Sequence, residues 1–186
     1  LYDGKKGIKV IPCYYKKDYP EWSDRGDGPG APVAIHLPNS AVIATGKRDG
    51  SKIRLPNGNY LEETASYYVM IETKTGGYTP ALITMKSTQL NVSKKWNSMM
   101  KTIQIPDGKG GFAIPPMHGV VYNLASTLQK NDKGSWYGWV VTQDRILGQE
   151  DKALYLSAKD FSGNVSKGTV QTKADVEEKV SDSTPY

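Results

Sequence analysis

The chain has 186 residues, with 24 Lys and Arg against 19 Asp and Glu, and a single cysteine, Cys13. That length suits one domain able to bury a core, while one cysteine excludes an internal disulfide framework and any multi-cysteine metal site. Charge is uneven: residues 173–186 hold four acids and two lysines, leaving +7 on the preceding 172 residues, from 22 cations and 15 carboxylates. A basic body favours a polyanionic partner, nucleic acid or an anionic membrane surface.

Residues 1–7 read as a loose basic arm with Lys5 and Lys6. A strand is expected over Ile8–Tyr15 (IKVIPCYY), with Pro12 marking an edge or a bulge because it lacks a ladder donor. Lys16–Pro32 then reads as a long irregular stretch, the start of an elaborated insertion over 16–65. Within it, Val33–Leu37 and Ala41–Thr45 form a plausible hairpin about Pro38-Asn39, and Asn57-Gly58 is a strong turn signal. Ser66–Glu72 and Thr79–Met85 are strands joined as a hairpin by Thr75-Gly76-Gly77.

Leu90, Val92, Trp96, Met99, Met100 and Ile103 recur at spacings of three and four, which predicts an amphipathic helix over 88–103. Thr88 or Asn91 is its expected N-cap, and Lys86, Lys94, Lys95 and Lys101 fall largely off the apolar stripe. After a Gly/Pro-rich connection over 106–116, Gly119–Gln129 and Ser135–Gln143 are two strands joined by Asn131-Asp132-Lys133-Gly134. Glu150–Val165 reads as a second helix, with Leu154, Ala158, Phe161 and Val165 on one face. From Thr169 onward the chain is polar, acidic and aperiodic, as a disordered tail would be. No run approaches membrane-spanning length and no signal-peptide pattern opens the chain. Leu rather than Met at position 1 leads us to expect a preceding N-terminal segment.

No motif asks for catalysis. His36 and His118 are far apart and without metal spacing, so each reads as structural. Asp107-Gly108-Lys109-Gly110-Gly111 lacks the Lys-Ser/Thr pair of a phosphate loop, Arg25-Gly26-Asp27 is a frequent chance triplet, and Glu62-Glu63 has no partner that sequence can place. More weight falls on aromatic and basic residues lying side by side: Tyr14, Tyr15, Lys16, Lys17, Tyr19 and Trp22; Tyr67 and Tyr68; Trp136, Tyr137 and Trp139 beside Lys130 and Lys133. Neighbours on a strand face opposite ways, so half of each cluster can be exposed, with Tyr137 and Trp139 on one side and Trp136 on the other. Single-stranded nucleic acid is bound by this pairing, stacking contributing ~1–3 kcal/mol per base while cations track the phosphates. With 16–65 set aside, five strands and a helix between the third and fourth give the order of the OB-fold, a mainly β barrel whose face and loops bind single strands.

The last twelve residues, DVEEKVSDSTPY, resemble the acidic tip of single-stranded-DNA-binding proteins, which closes on acids followed by Pro and an aromatic. Only Asp182 is acidic in the last five, and Lys179 interrupts the run. The resemblance implies protein docking through Asp175, Glu177, Glu178, Asp182, Pro185 and Tyr186 to replication or recombination enzymes. The stretches IPCYY…EW, PALITMKSTQL…KKW and KGSWYGW look like a group of phage-encoded proteins of this kind. The expectation is therefore an OB-fold protein, monomeric or weakly associating, that binds single-stranded DNA with little sequence preference in the host cytoplasm. Its site would comprise Tyr14, Tyr15, Lys16, Lys17, Trp22, Lys47, Arg48, Lys52, Arg54, Tyr68, Lys94, Lys95, Trp136, Tyr137 and Trp139, with no metal, cofactor, membrane or catalytic step. The rival is a β-rich virion or assembly subunit without a nucleic-acid role.

Overall fold

One strand organises the molecule. β1 (Ile8–Trp22) runs for 15 residues and belongs to two sheets in turn. The computed structural model describes residues 3–24, 30–132 and 134–170. In the main sheet, β1 lies between β6 (Thr64–Glu72) and β10 (Val120–Asn131). β7 (Tyr78–Lys86) pairs with β6, and β11 (Gly134–Ile146) pairs with β10, so the neighbours run β11-β10-β1-β6-β7, all antiparallel. The ladder shifts between Pro12 and Tyr14. Pro12 thus marks a bulge, not an edge, and the bulge lets a central strand tolerate a residue without a donor.

At its far end β1 enters a second, smaller sheet. Residues Tyr19–Glu21 pair with β2 (Ala34–His36) on one side, and Glu21–Trp22 pair with β5 (Tyr60–Glu62) on the other. β4 (Lys52–Arg54) joins β5, and β3 (Lys47–Asp49) joins β4. The strand therefore continues through Lys16–Trp22, where a loop was expected, because β6 pairs with Lys16–Asp18 and the second sheet pairs with Tyr19–Trp22, where Tyr19 and Glu21 are buried. The hairpin expected about Pro38-Asn39 is instead β2 followed by a short helix, α1 (Ala41–Thr45), whose first turn is capped by Ser40 Oγ accepting from the Val42 N–H. Asn57-Gly58 does turn the chain, with Gly58 at φ +90, and this turn delivers β5 back onto β4.

Two helices cover the two faces of the main sheet. α2 (Leu90–Thr102) seals the inner face through its apolar stripe: Trp96, Met100 and the following Ile103 are buried with Val10, Tyr67, Val69, Met85, Val120 and Tyr122. Trp96 is completely buried and stacks on Tyr67 with ring centroids 4.3 Å apart. The Tyr67 hydroxyl is 2.8 Å from Ser93 Oγ, which pins β6 to the helix. The N-cap is Gln89, without a side-chain bond, because a single 3₁₀ turn at Ser87–Gln89 leads into the helix and displaces the expected caps Thr88 and Asn91. α3 (Lys152–Ser166) covers the outer face, setting Ala158 against Ile11, Cys13, Met70 and Val121, with Leu154 and Phe161 beside them. The connection after α2 contains a small ribbon, β8 (Ile105–Pro106) with β9 (Phe112–Ala113).

The result is a mainly β molecule built on a curled half-barrel. β7 and β11 are its two edges, and no pairing joins them among the described residues. α2 touches both. The N-terminal arm is not loose over its described part: Ser126 N–H donates to Gly4 O at 2.7 Å, and Asn123 Nδ2 donates to Lys6 O at 3.1 Å. The tail residues proposed for docking, Asp175, Glu177, Glu178, Asp182, Pro185 and Tyr186, lie outside the described residues, as do Arg25-Gly26-Asp27 and Lys133.

Candidate nucleic-acid interface

Cross-strand partners in an antiparallel sheet share a face, so the register of the second sheet sorts its side chains. Glu21, Leu61, Ile53 and Arg48 align on one face; Ile53 and Leu61 pack there with Tyr19, Leu55, Val42 and Ile43. Trp22, Tyr60, Arg54 and Lys47 align on the other, with Lys52 and Glu62 in the next row. Sequence proximity had grouped Lys47 with Arg48, but the sheet sends them to opposite faces.

The second face is a cation–aromatic surface. Lys52 Nζ lies 3.6 Å from the Tyr60 ring centroid, and the Arg54 guanidinium carbon lies 5.4 Å from it. Lys86, at the end of β7, reaches across so that its Nζ sits 6.0 Å from the Trp22 ring while pairing with Glu62 at 2.9 Å. Arg54 is shared between Asp24 at 3.2 Å and Asp49 at 3.5 Å, and these carboxylates raise its already high pKa. Among the described residues Lys47 and Lys52 form no ion pair. Among the described residues the buried Trp22 indole N–H finds no acceptor.

Glu21 holds this sheet in place. Its carboxylate accepts from Asn59 Nδ2 at 2.6 Å and Asn57 Nδ2 at 3.2 Å, and lies 2.7 Å from His36 Nε2. One nearly buried side chain thereby ties β2 and the β4–β5 turn to β1. The Asn59 amide, and then His36, hold the Glu21 pKa below its ordinary value. His36 is accordingly a structural histidine. His118 packs its ring 5.2 Å from Tyr155, and burial, with Lys159 nearby, lowers its pKa.

The third aromatic cluster is tied to the start of α2. Gln89 Oε1 accepts from the Trp139 N–H at 2.9 Å, so the free edge of β11 is held three residues after Lys86. A Cβ at Gly138 would come within 2.5 Å of the Gln129 amide and 2.7 Å of the Gln89 amide. The junction is strained: Ser87, at φ 51, is the sole non-glycine with positive φ among the described residues. Tyr137 is 69% exposed and Trp139 36%, on one side of β11 as their alternation requires, while Trp136 is half-buried, its indole N–H without a partner among the described residues.

Other expected site residues stand apart from this surface. Tyr15 packs inward, 5.0 Å from the Tyr67 ring, and Tyr68 is buried edge-on against Tyr14 at 6.1 Å on the outer face. Lys16 pairs with Asp18 at 3.2 Å and Lys17 with Glu63 at 3.0 Å. Lys94 and Lys95 are exposed on the far side of α2 from its buried stripe. The structure thus unites Trp22, Lys47, Lys52 and Arg54 with Tyr60 and Lys86, neither of which was among the expected site residues. Tyr60 was within reach of a sequence argument, because a turn at Asn57-Gly58 mirrors Arg54 onto it. Nothing in the sequence placed Lys86 beside Trp22.

Among the described residues no group of His, Cys, Asp and Glu could hold a metal ion, and no helix is long and apolar enough to cross a membrane. A family model, described as Pam3 phage gp34-like protein, matches residues 1–171. No curated protein and no solved structure matches the chain.

Proposed function

The chain belongs to the Pam3 phage gp34-like protein family; from its cation–aromatic surface we propose that it binds single-stranded DNA without catalysis, in phage replication or recombination in the host cytoplasm. One observation carries the reading: a single sheet face sets Trp22 and Tyr60 among Lys47, Lys52, Arg54 and Lys86. Rings flanked by cations offer stacking to a base and charge to its phosphate within one nucleotide's reach. Trp139 and Tyr137 offer a separate stacking surface, and Lys94, Lys95, Arg48, Lys16 and Lys17 add to the long-range field. The neighbour order β11-β10-β1-β6-β7 supports an OB-type barrel opened along the seam between its third and fifth strands, a fold that includes partly open forms. The acidic tail serves as the docking arm for replication or recombination enzymes.

Oligo-dT titrated against the full chain and followed by Trp fluorescence tests this. With three or four phosphates neutralised, affinity falls about 20- to 50-fold between 50 and 200 mM salt. Lys52→Glu with Arg54→Glu removes most of it. A flat trace at low salt refutes the reading.

The assembly-subunit alternative also has an observation behind it. Val33, Ile35 and Leu37 are 58%, 48% and 66% exposed in and beside β2, whose outer edge is unpaired among the described residues. Sedimentation of the free chain separates the two: a stable oligomer that ignores oligo-dT favours assembly.

A further inference from the structure

The N-terminal arm builds a second site, at the barrel rim away from Trp22 and Tyr60. Residues 3–7 close a turn, Gly7 N–H donating to Asp3 O at 2.9 Å, and that turn is seated tightly on β10. A Cβ on Gly4 would lie 2.5 Å from Ser126 Oγ, and one on Gly7, at φ +78, would lie 2.8 Å from both Asn123 Nδ2 and Leu124 O. Glycine at both places is what allows the arm to lie so close.

The seated arm leaves a cleft on each side of itself. The inner one, about 410 Å³, has Ile8 and Leu124 from the barrel interior and Tyr137 and Trp139 from β11. The outer one, about 470 Å³, is lined by Lys6, Lys9 and Lys74 together with Thr73 and Asn123. Gly7 and Ile8 belong to both and form the ridge between them. Carboxylates temper the charge: Glu72 lines the outer cleft, and Asp144 pairs with Lys9.

From this arrangement we infer that the rim binds one nucleotide of the strand, its base unstacked into the aromatic-walled cleft and its phosphate held over the ridge at the lysine side. An apolar side chain of a protein would use only the first cleft and gain nothing from the second. A free inorganic anion would use only the second. A nucleotide fits both, since it joins a flat ring to a charged group at fixed separation. Asp3 stands at the inner cleft as an acceptor for base N–H groups, its other role being to accept from the Lys5 N–H at 2.9 Å. The site rests on the single-strand reading above and adds to it the place where one base leaves the stack.

The test is photocrosslinking of the full chain to oligo-dT carrying one 5-iododeoxyuridine, with the linked residues mapped. Crosslinks at Tyr137 or Trp139 are expected. Ser126→Trp, which fills the inner cleft from its floor, abolishes them and weakens binding about five-fold or more, as loss of one stacked base requires. Lys6→Glu, on the exposed arm and harmless to the core, lowers the slope of log affinity against log salt by about 0.7, the value of one phosphate on a single strand. If crosslinks fall only on Trp22 or Tyr60, and Ser126→Trp and Lys6→Glu bind as the parent does, the rim site is overturned while single-strand binding stands. If no variant and no parent shows salt-sensitive binding, both readings fall together.

Discussion

Removing the Glu21 carboxylate should loosen the sheet that carries the proposed interface. Glu21 receives hydrogen bonds from Asn59 at 2.6 Å and Asn57 at 3.2 Å and is joined to His36 at 2.7 Å, on a side chain only 9% exposed. A hydrogen bond to a charged group is worth ~1.5–3 kcal/mol, and bonds sharing one acceptor do not add fully, so Glu21→Ala should lose about 3 kcal/mol. For a domain of this size that lowers Tm by about 6–12 °C. The effect has a pH signature. The folded-state pKa of Glu21 is held below its unfolded value, so its contribution is present in full above the ordinary Glu range near ~4.3 and disappears as pH falls through the depressed folded value. Thermal melts by circular dichroism at neutral pH and at successively lower pH read this directly: the gap between parent and variant is widest at pH 7 and closes in acid. A gap under about 2 °C at pH 7, or one that stays constant as far down in pH as the parent still melts cooperatively, would refute the reasoning.

Two further outcomes follow from the core. Trp96→Ala empties the completely buried centre of the inner face, where the ring stacks on Tyr67 and meets Tyr122 edge-on at 5.6 Å; it should lose about 3–5 kcal/mol in urea titration. A midpoint unchanged from the parent would mean that α2 does not seal the sheet. Cys13 is buried beneath α3, and that burial pushes its pKa up to about 12. Its reaction with a thiol reagent at pH 8 should therefore be slow in the folded chain and fast in urea, and equal rates would place α3 off the sheet.

The elements with strong local signals were legible in the sequence. The apolar stripe of α2, the β10–β11 hairpin and the β6–β7 hairpin all follow from periodicity and turn residues, and each is present with ends shifted by a few residues. What sequence missed depended on partners distant along the chain. Lys16–Trp22 has too little apolar alternation to read as a strand, yet it becomes one because β2, β5 and β6 supply ladders to it. Ala41–Thr45 has strand-like composition, but Ser40 caps it as a helical turn. At the candidate site, the cations were visible and their sidedness was not: Lys47 and Arg48 separate only when the β3–β4 register is known, and the β1–β6 register sends Tyr15 to the inner face beside Tyr67 and Tyr68 to the outer face beside Tyr14.

The way the molecule treats its sheet edges bears on which surface is free to work. An exposed edge strand is a template for another chain unless something blunts it. On β7 the interior residue Pro80 cannot donate to a newcomer. On β11 the Trp139 N–H is already taken by Gln89, and α2 lies against the strand. β2 has neither device among the described residues: it is three residues long, unpaired outward, and flanked by exposed Val33 and Leu37. Its shortness restrains self-pairing. Both edges of the half-barrel are thus blunted by groups that belong to the α2 junction or to β7 itself. The junction touches both proposed surfaces, through Lys86 beside Trp22 and through Gln89 on Trp139 of the rim cleft. The strained turn at Ser87 consequently sets the spacing between Lys86 on one side and Gln89, with Trp139, on the other.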